Sequence, residues 1–166
     1  MLLSYIEMEL IAAKTIKLFK NTLSPNLYNV DDLVRCGFGT AVPMDKKFII
    51  GAKGNYYLHP FYALNCFKEN FKFASPQFLN LIKAVSGRSC GKVFALEKSS
   101  EYIARAIVMP EAEFRKEWKK SFDKKACSYN IGSVAEKFKV SRNDVLSRAD
   151  DLYLLDKERS SKNEYN

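Results

Sequence analysis

The sequence predicts an α+β fold in which helices pack a small antiparallel sheet and a helix-turn-helix-like pair follows toward the C-terminal end. Apolar residues recur at three- to four-residue spacing through most of the chain, which indicates amphipathic helices. Two short apolar runs flank Met44–Lys47 and predict a β-hairpin. Hydrophobic residues fill 47% and aromatic residues 13% of the 166 positions, which is enough for a buried core.

The stretch 101–118 predicts two consecutive amphipathic helices around Met109-Pro110. Pro110 lacks a backbone N–H and disfavours helix in the residue before it, so the first helix should end near Met109. Proline suits the first turn of the second helix, whose inner face should carry Phe114 and Trp118. The buried face of the first helix should be formed by four residues: Ile103, Ala104, Ile107 and Val108.

The first half of the chain predicts four further helices. Asn29 should cap a short helix that ends at Gly37, because Asn is a favoured N-cap residue and Gly a favoured residue after a helix. Pro60 should lie in the first turn of a helix that buries Phe61, Leu64 and Phe67, and Pro76 should open another. The helix over 2–20 should carry one apolar face: Leu3, Ile6, Leu10, Ala13, Ile16 and Phe19.

The segments between the predicted helices should form short strands, a turn and a polar connection. Thr40–Val42 and Phe48–Ile50 should be the strands of the hairpin, and a turn should follow at Gly51–Asn55. Val93–Leu96 is a candidate short strand, and Lys119–Ser128 should be a polar connection. We divide the chain into three segments: an α+β domain over 1–128, a helix-turn-helix-like subdomain over 129–155, and a mobile tail over 156–166.

The segment from Ile131 to Leu155 has the pattern of two short helices joined by a turn. Ser141 and Asp144 form an S-x-x-D start for the second helix. The two helix faces should bury six residues: Val134, Ala135, Phe138, Val145, Leu146 and Ala149. The second helix offers Arg142, Asn143 and Arg148 to DNA, but three aspartates give it a net charge of −1, which opposes phosphate contact. We therefore expect a structural or protein-contacting pair.

Two stretches, 61–100 and 115–125, each carry a local net charge of +4. The net charge is +8, from 27 basic and 19 acidic residues. Residues 115–125 carry two acidic side chains and six basic ones, which are the candidates for binding a partner: Arg115, Lys116, Lys119, Lys120, Lys124 and Lys125. A surface of this kind is either a solvated helix face or a site for an acidic partner, protein or nucleic acid.

The cysteines and the N-terminal residues bear on the compartment. The 4 cysteines are scattered without a C-x-x-C pair, which is typical of reduced thiols in a cytoplasmic protein. Glu7 and Glu9 interrupt the first apolar stretch, which also lacks a basic leader, so it does not resemble a secretory signal. No apolar run reaches the roughly 18 residues that a membrane-spanning helix needs. We expect a cytoplasmic protein with no membrane partner.

Two stretches in the second half of the chain have residue patterns that can be compared with those of known families. Ile107–Pro110 ends a helix in Met-Pro before the acidic, Phe-containing segment Glu113-Phe114, and Val134–Leu152 reads VAEKFKVSRNDVLSRADDL. In both respects the chain resembles the ImmA/IrrE family of zinc metallopeptidases, and Val30–Val34 running into Gly37 resembles the family more loosely. The resemblance implies a metallopeptidase-like scaffold. Active members of that family cleave or inactivate helix-turn-helix repressors.

The chain departs from the family at the zinc site. The family's H-E-x-x-H motif places two histidines one turn apart on a helix, with a glutamate base beside the first. The 1 histidine here is His59, and in register Pro60 replaces the base and Ala63 the second ligand. Glu97 and Glu101 are the candidates for the third ligand of a vestigial site. We expect no catalytic residues, no metal and no other cofactor, and we interpret His59 as a hydrogen-bonded residue at a helix start.

The resemblance and the missing ligands together favour a non-catalytic regulatory protein. On this hypothesis the chain keeps the peptidase scaffold and binds a protein partner, such as a transcriptional repressor of the helix-turn-helix class. Two alternatives stay open: an active zinc metallopeptidase with non-standard ligands, and a basic nucleic-acid-binding protein.

Overall fold

The computed structural model describes residues 3–19, 27–38, 49–52, 54–72, 76–87 and 96–155. Its fold is mixed α+β, as predicted, and the chain divides into two compact units, Met1–Pro110 and Glu111–Asn166, called unit 1 and unit 2 below. The segment limits drawn from the sequence at 128 and 155 stay a prediction. The strand Thr40–Val42, the Met44–Lys47 turn, residues 93–95 of the Val93–Leu96 strand and the tail 156–166 lie outside the described residues.

Unit 1 is organised around one helix that packs against two others. The described elements are α1 (Tyr5–Leu18), α2 (Val30–Arg35), β1 (Ile49–Ala52), β2 (Asn55–Leu58), α3 (Pro60–Lys72), α4 (Pro76–Ser86) and α5 (Leu96–Val108). Helix α5 contacts both α1 and α3, while α4 contacts α1 and α2 contacts β2. The face of α5 predicted to be buried is buried, since Ile103, Ala104, Ile107 and Val108 are almost fully inaccessible.

Helix α1 begins with a capping box. Ser4 accepts a hydrogen bond from the Glu7 backbone N–H, and the Glu7 carboxylate accepts one from the Ser4 N–H at 2.7 Å. The predicted apolar face is wrong in its middle, because Ile6, Leu10 and Ala13 are exposed, whereas Leu3 and Phe19 at its two ends are buried as predicted. The helix instead buries the stripe Ile11, Ala12 and Thr15. Apolar residues occur on both sides of this helix, so the spacing alone fits either face.

Helix α2 has both ends as predicted. The Asn29 side chain accepts a hydrogen bond from the Asp32 N–H at 3.1 Å. At the other end Gly37 has φ of +80°, and the Phe38 N–H donates to the Leu33 carbonyl at 2.7 Å. This is a Schellman ending, in which the residue after the helix takes the left-handed conformation that favours glycine.

The described sheet of unit 1 is an antiparallel pair that comes later in the chain than the predicted hairpin. Strands β1 and β2 pair in the register Ile49↔Leu58 to Ala52↔Asn55, with Gly54 at φ of +74° in the turn. The predicted turn at Gly51–Asn55 therefore contributes residues to both strands. On its other side β2 joins the α2 region, since the Leu58 N–H donates to the Tyr28 carbonyl at 2.9 Å.

Helix α3 begins at Pro60, as predicted, and its inner face faces the core. Leu64 and Phe67 are buried as expected, together with Ala63, Cys66 and Phe71. The prediction for Phe61 is wrong, because this ring is 56% exposed. Phe61 lies at the second position of the helix, off the buried stripe that begins at Ala63.

Unit 2 contains three helices and a short hairpin among its described residues: α6 (Glu111–Lys120), β3 (Phe122–Asp123), β4 (Ser128–Tyr129), α7 (Ile131–Phe138) and α8 (Arg142–Asp151). The break at Met109-Pro110 and the burial of Phe114 and Trp118 are as predicted. The Lys119–Ser128 stretch is not merely a polar connection, because it contains the hairpin, with Phe122 opposite Tyr129.

Helices α7 and α8 pack against each other as the predicted helix-turn-helix-like pair. Ser141 caps α8, accepting a hydrogen bond from the Asp144 N–H at 3.1 Å, as the S-x-x-D pattern predicts. Five of the six residues predicted to be buried are buried, whereas Leu146 is exposed. Among the described helices, none is long and apolar enough to cross a membrane.

Candidate functional site

His59 lies between β2 and α3 and serves as a helix-start residue. Its Nδ1 accepts a hydrogen bond from the Phe61 N–H at 3.4 Å, and its carbonyl accepts one from the Tyr62 N–H at 2.9 Å. Since the helix begins only at Pro60, His59 precedes it. Its Nδ1 is engaged by the backbone of its own chain. The interpretation of His59 as a hydrogen-bonded residue at a helix start is therefore confirmed.

The positions of α3 that would complete an H-E-x-x-H site carry no ligand groups. Pro60 opens the helix, and the buried Ala63 presents a methyl group to the core. One turn further, burial raises the pKa of the Cys66 thiol to about 12, although the Asn70 amide donates a hydrogen bond to its sulfur. A thiol held neutral in this way is a core group, because metal ligation and nucleophilic attack need the thiolate.

The two candidate carboxylates lie on α5. Glu97 is in the first turn of α5, and its side chain lies outside the described part of the chain. Glu101 is exposed and forms an ion pair with Arg105 at 3.7 Å. Ser99, between them, is buried. Within the described ranges, no group of three or more His, Cys, Asp or Glu side chains is placed to hold a metal ion.

Two exposed aromatic rings contact His59, and a third, on β2, lies three residues before it in the chain. We call Tyr56, His59, Phe61 and Tyr62 the aromatic corner. Tyr56 on β2 is 64% exposed, and the Phe61 ring stacks on the His59 ring with centroids 5.4 Å apart. The Tyr62 ring meets His59 edge-on at 5.8 Å. Large aromatic rings that face solvent in a group are typical of protein-binding surfaces.

The six basic candidates in 115–125 differ in what they contact. Arg115 binds the Glu111 carboxylate at 2.7 Å and donates to the Leu152 carbonyl at 3.3 Å, so it ties α6 to the end of α8 within unit 2. Lys120 donates to Glu117 at 2.8 Å. The other four are exposed, two on α6 and two in the hairpin turn: Lys116, Lys119, Lys124 and Lys125.

The hairpin adds an aromatic group that the sequence analysis missed. The Phe122 ring is exposed and contacts Tyr129 with centroids 5.0 Å apart, and Tyr129 stacks on Trp118 at 4.5 Å. Trp118 in turn stacks on Phe114, which contacts Phe138. Five rings thus run from the buried face of α7 to the surface beside the lysines. Strands of two residues are too short for alternation to reveal them.

Helix α8 offers little to a nucleic acid. Arg148, one of the three residues that the sequence offers for reading bases, is completely buried and so does not face a ligand. Its position on the α8 face that also carries Val145 and Ala149 directs it into the unit. Arg142 and Asn143 are exposed, and so is the acidic Asp150.

The two acidic residues of the 115–125 stretch, Glu117 and Asp123, both have partners within unit 2. Asp123 Oδ1 accepts hydrogen bonds from the Lys125 N–H at 2.8 Å and the Ala126 N–H at 3.3 Å, which closes the hairpin turn. The pKa of Glu117 is lowered, chiefly because Lys120 donates to its carboxylate and also because Lys137 and Lys116 are positive. The two acidic side chains of the 115–125 stretch are therefore already engaged.

Comparison of the chain with protein-family models, with curated proteins and with solved structures finds no significant match.

Proposed function

We propose that the chain is a non-catalytic regulatory protein that binds a protein partner through the aromatic corner of unit 1. The partner class that fits the resemblance to ImmA/IrrE proteins is a transcriptional repressor of the helix-turn-helix type. The observation that carries the proposal is the group of exposed rings at the position where the resemblance would place a metal-binding helix.

The chemistry of this corner supports binding more than hydrolysis. A zinc peptidase needs ligands that converge on one ion and a base that activates water. Here His59 accepts a backbone hydrogen bond, and the side chains of Pro60 and Ala63 have no atom that can bind a metal ion. Tyr56 and Tyr62 instead present apolar rings with a polar hydroxyl, a side-chain type that is enriched at the hot spots of protein interfaces, and Phe61 adds a further exposed ring.

The backbone that carries the aromatic corner is supported by hydrogen bonds to neighbouring segments. Tyr56 belongs to β2, which pairs with β1 on one side and with the Tyr28 region on the other. The partner would therefore meet side chains on a supported strand and on the first turn of a helix. Because the backbone beneath these side chains is already ordered, binding costs less conformational entropy than it would on a disordered loop.

The partner can be identified by affinity capture from the native host, compared between variants. The test variant is Tyr56→Ser/Phe61→Ser, and the matched control is Ile6→Ser/Tyr153→Ser, which removes two equally exposed apolar side chains elsewhere. We expect a protein that the wild type and the control retain, and that the test variant retains at least tenfold less. Each retained protein is then purified and titrated with the chain.

A regulator and an enzyme differ in stoichiometry. If the partner is a repressor, one equivalent of the chain should release it from its operator without producing cleavage fragments. Stoichiometric zinc in the purified chain, together with turnover of the partner, would overturn the proposal in favour of an active peptidase. Equal capture of every protein by the wild type and the Tyr56→Ser/Phe61→Ser variant would remove the aromatic corner as the binding surface.

A further inference from the structure

We infer that unit 2 carries a second binding surface, the β3–β4 hairpin, which takes single-stranded nucleic acid by stacking a base on Phe122 and contacting phosphates with the neighbouring lysines. This inference is independent of the proposed function, because it uses other residues in the other unit.

The stacking platform is a ring held in place by other rings. Phe122 is 41% exposed and faces its cross-strand partner Tyr129, whose other contact is the buried Trp118. The three rings lie on one side of the hairpin, since directly paired residues of an antiparallel ladder point to the same face. A base that stacks on Phe122 would add a fourth ring to the series Trp118–Tyr129–Phe122, on the solvent side. Stacking of this kind suits any base, because every base has a π face.

The cationic part of the surface lies within a few residues of the ring. The hairpin lysines, as we call them, are Lys119, Lys124 and Lys125, whereas Lys120 is paired with Glu117. The first and the last are six positions apart, so even a fully extended chain would place their Cα atoms at most about 20 Å apart. Asp123 is the one acidic residue between them, and its carboxylate already accepts two backbone hydrogen bonds in the turn.

The lysines on the two sides of Phe122 differ in position. Lys119 lies in the last turn of α6, before the hairpin, whereas Lys124 and Lys125 lie in the turn that joins the strands. Phe122 comes between the two groups in the chain. A strand of phosphodiester laid along this surface could place phosphates near both groups while an unpaired base covers the ring. This combination of lysines and an exposed ring is the one that non-specific single-strand binders use.

Duplex DNA fits this surface less well. Its bases are already stacked and paired, so the Phe122 ring would gain no partner without melting the duplex. The element that could enter a groove is α8, but Arg148 is buried there and Asp150 is exposed. An acidic protein would engage the lysines and leave the stacking face of Phe122 unused. The single strand is the ligand that uses both features.

The test is a titration of the full chain with a labelled single-stranded oligonucleotide, followed by fluorescence anisotropy at several salt concentrations. The chain has 1 tryptophan, Trp118, whose fluorescence provides a second signal with unlabelled oligonucleotide. Two variants probe the surface: Phe122→Leu, which keeps apolar volume and removes the π face, and Lys124→Gln/Lys125→Gln. The matched controls are Tyr153→Leu and Lys14→Gln/Lys17→Gln, which change exposed side chains elsewhere by the same amounts.

The variants should separate the two contributions. Phe122→Leu should weaken binding by about tenfold, because one base–aromatic stack is lost. Lys124→Gln/Lys125→Gln should lower the slope of log affinity against log salt by about 1.4, since each phosphate contact on a single strand contributes about 0.7. Both controls should bind within about twofold of the wild type.

Four outcomes would overturn the inference. The first is no binding of the wild type at low salt, and the second is an equal loss in Lys14→Gln/Lys17→Gln, which would indicate general charge attraction. The third is a pair of results: Phe122→Leu binds the oligonucleotide as tightly as the wild type, and poly-glutamate displaces the labelled oligonucleotide as well as unlabelled oligonucleotide does. This pair would indicate that the surface binds an acidic protein. The fourth is tighter binding of duplex than of single strand.

Discussion

The two units use aromatic side chains in opposite ways. In unit 1 five rings form a closed cluster around Phe67, with every member buried: Phe19, Tyr28, Phe38, Phe67 and Phe71. In unit 2 five rings form an open series that starts in the core and ends at the exposed Phe122. The closed cluster can serve only stability, whereas the last ring of the open series is available to a ligand. Five contacting rings thus form a closed core group in unit 1, apart from its separate aromatic corner, and a series that reaches the surface in unit 2.

Replacing the central ring of the closed cluster and the last ring of the open series should give the largest contrast. Phe67→Ala removes a buried ring that contacts four others, so it should lower the free energy of unfolding by about 3–5 kcal/mol. Phe122→Ala removes one exposed ring with a cross-strand contact, and should cost less than about 1 kcal/mol. Urea unfolding followed by circular dichroism measures both.

Phe61→Ala is the internal control for Phe67, because it lies on the same helix and is mostly exposed. Its effect should stay below about 1 kcal/mol. A loss of several kcal/mol for Phe122→Ala would mean that the hairpin ring is part of the core of unit 2, and the contrast between closed and open arrangements would fail.

The closed character of unit 1 also predicts a pH dependence. The Cys66 thiol is buried beside the closed cluster, and its pKa in the folded chain is about 12, against an ordinary value near 9.0. Above about pH 9 the unfolded chain loses this proton while the folded chain keeps it. The stability that the buried neutral thiol provides is therefore complete below pH 9. It falls by about 1.4 kcal/mol per pH unit as the pH rises toward 12.

The measurement is the free energy of unfolding between about pH 8 and pH 10 for the wild type and for Cys66→Ala. The wild type should lose stability more steeply above about pH 9, by up to about 1.4 kcal/mol per unit. Cys127→Ala, which alters an exposed thiol in unit 2, should keep the wild-type slope. Identical slopes in the wild type and Cys66→Ala would show that water reaches this thiol.

The features that the sequence predicted well depend on short-range chemistry. Asn29 and Ser141 cap their helices, and Pro110 separates α5 from α6, because each effect is decided by a few neighbouring atoms. The interpretation of His59 as a helix-start residue belongs to the same class, since the Pro60 that follows it fixes where the helix can begin.

The features that were missed depend on which of two equivalent patterns the tertiary structure selects. In α1 the exposed stripe with Ile6 and Leu10 and the buried stripe with Ile11 and Thr15 have the same spacing, so only packing against α5 decides between them. The burial of Arg148 was also missed, because arginine is rarely fully buried and its residue type therefore predicts exposure. Its place on the stripe with Val145 and Ala149 overrides that preference. For the site, sequence reasoning found the lysines and the lone histidine but not the Phe122 ring that changes what the lysines can bind.

The smallest expected effects come from the helix ends, where the two units again differ at one residue. Helices α2 and α7 both finish in a Schellman ending, with Gly37 at φ of +80° in unit 1 and Lys139 at φ of +55° in unit 2. A side chain is strained in this conformation and glycine is not. Gly37→Ala should therefore lower the free energy of unfolding by about 1 kcal/mol, whereas Lys139→Gly should raise it by a few tenths to about 1 kcal/mol.

Thermal unfolding of the two variants compares the signs directly. Lys139→Ala separates backbone strain from loss of the lysine charge, because alanine removes the charge and keeps the strained conformation. It should therefore stay close to the wild type while Lys139→Gly rises. If Lys139→Gly were destabilising instead, the gain from relieving strain would be smaller than the entropy that glycine adds to the unfolded chain. If Lys139→Ala were destabilising as well, contacts of the Lys139 side chain would hold the end of α7.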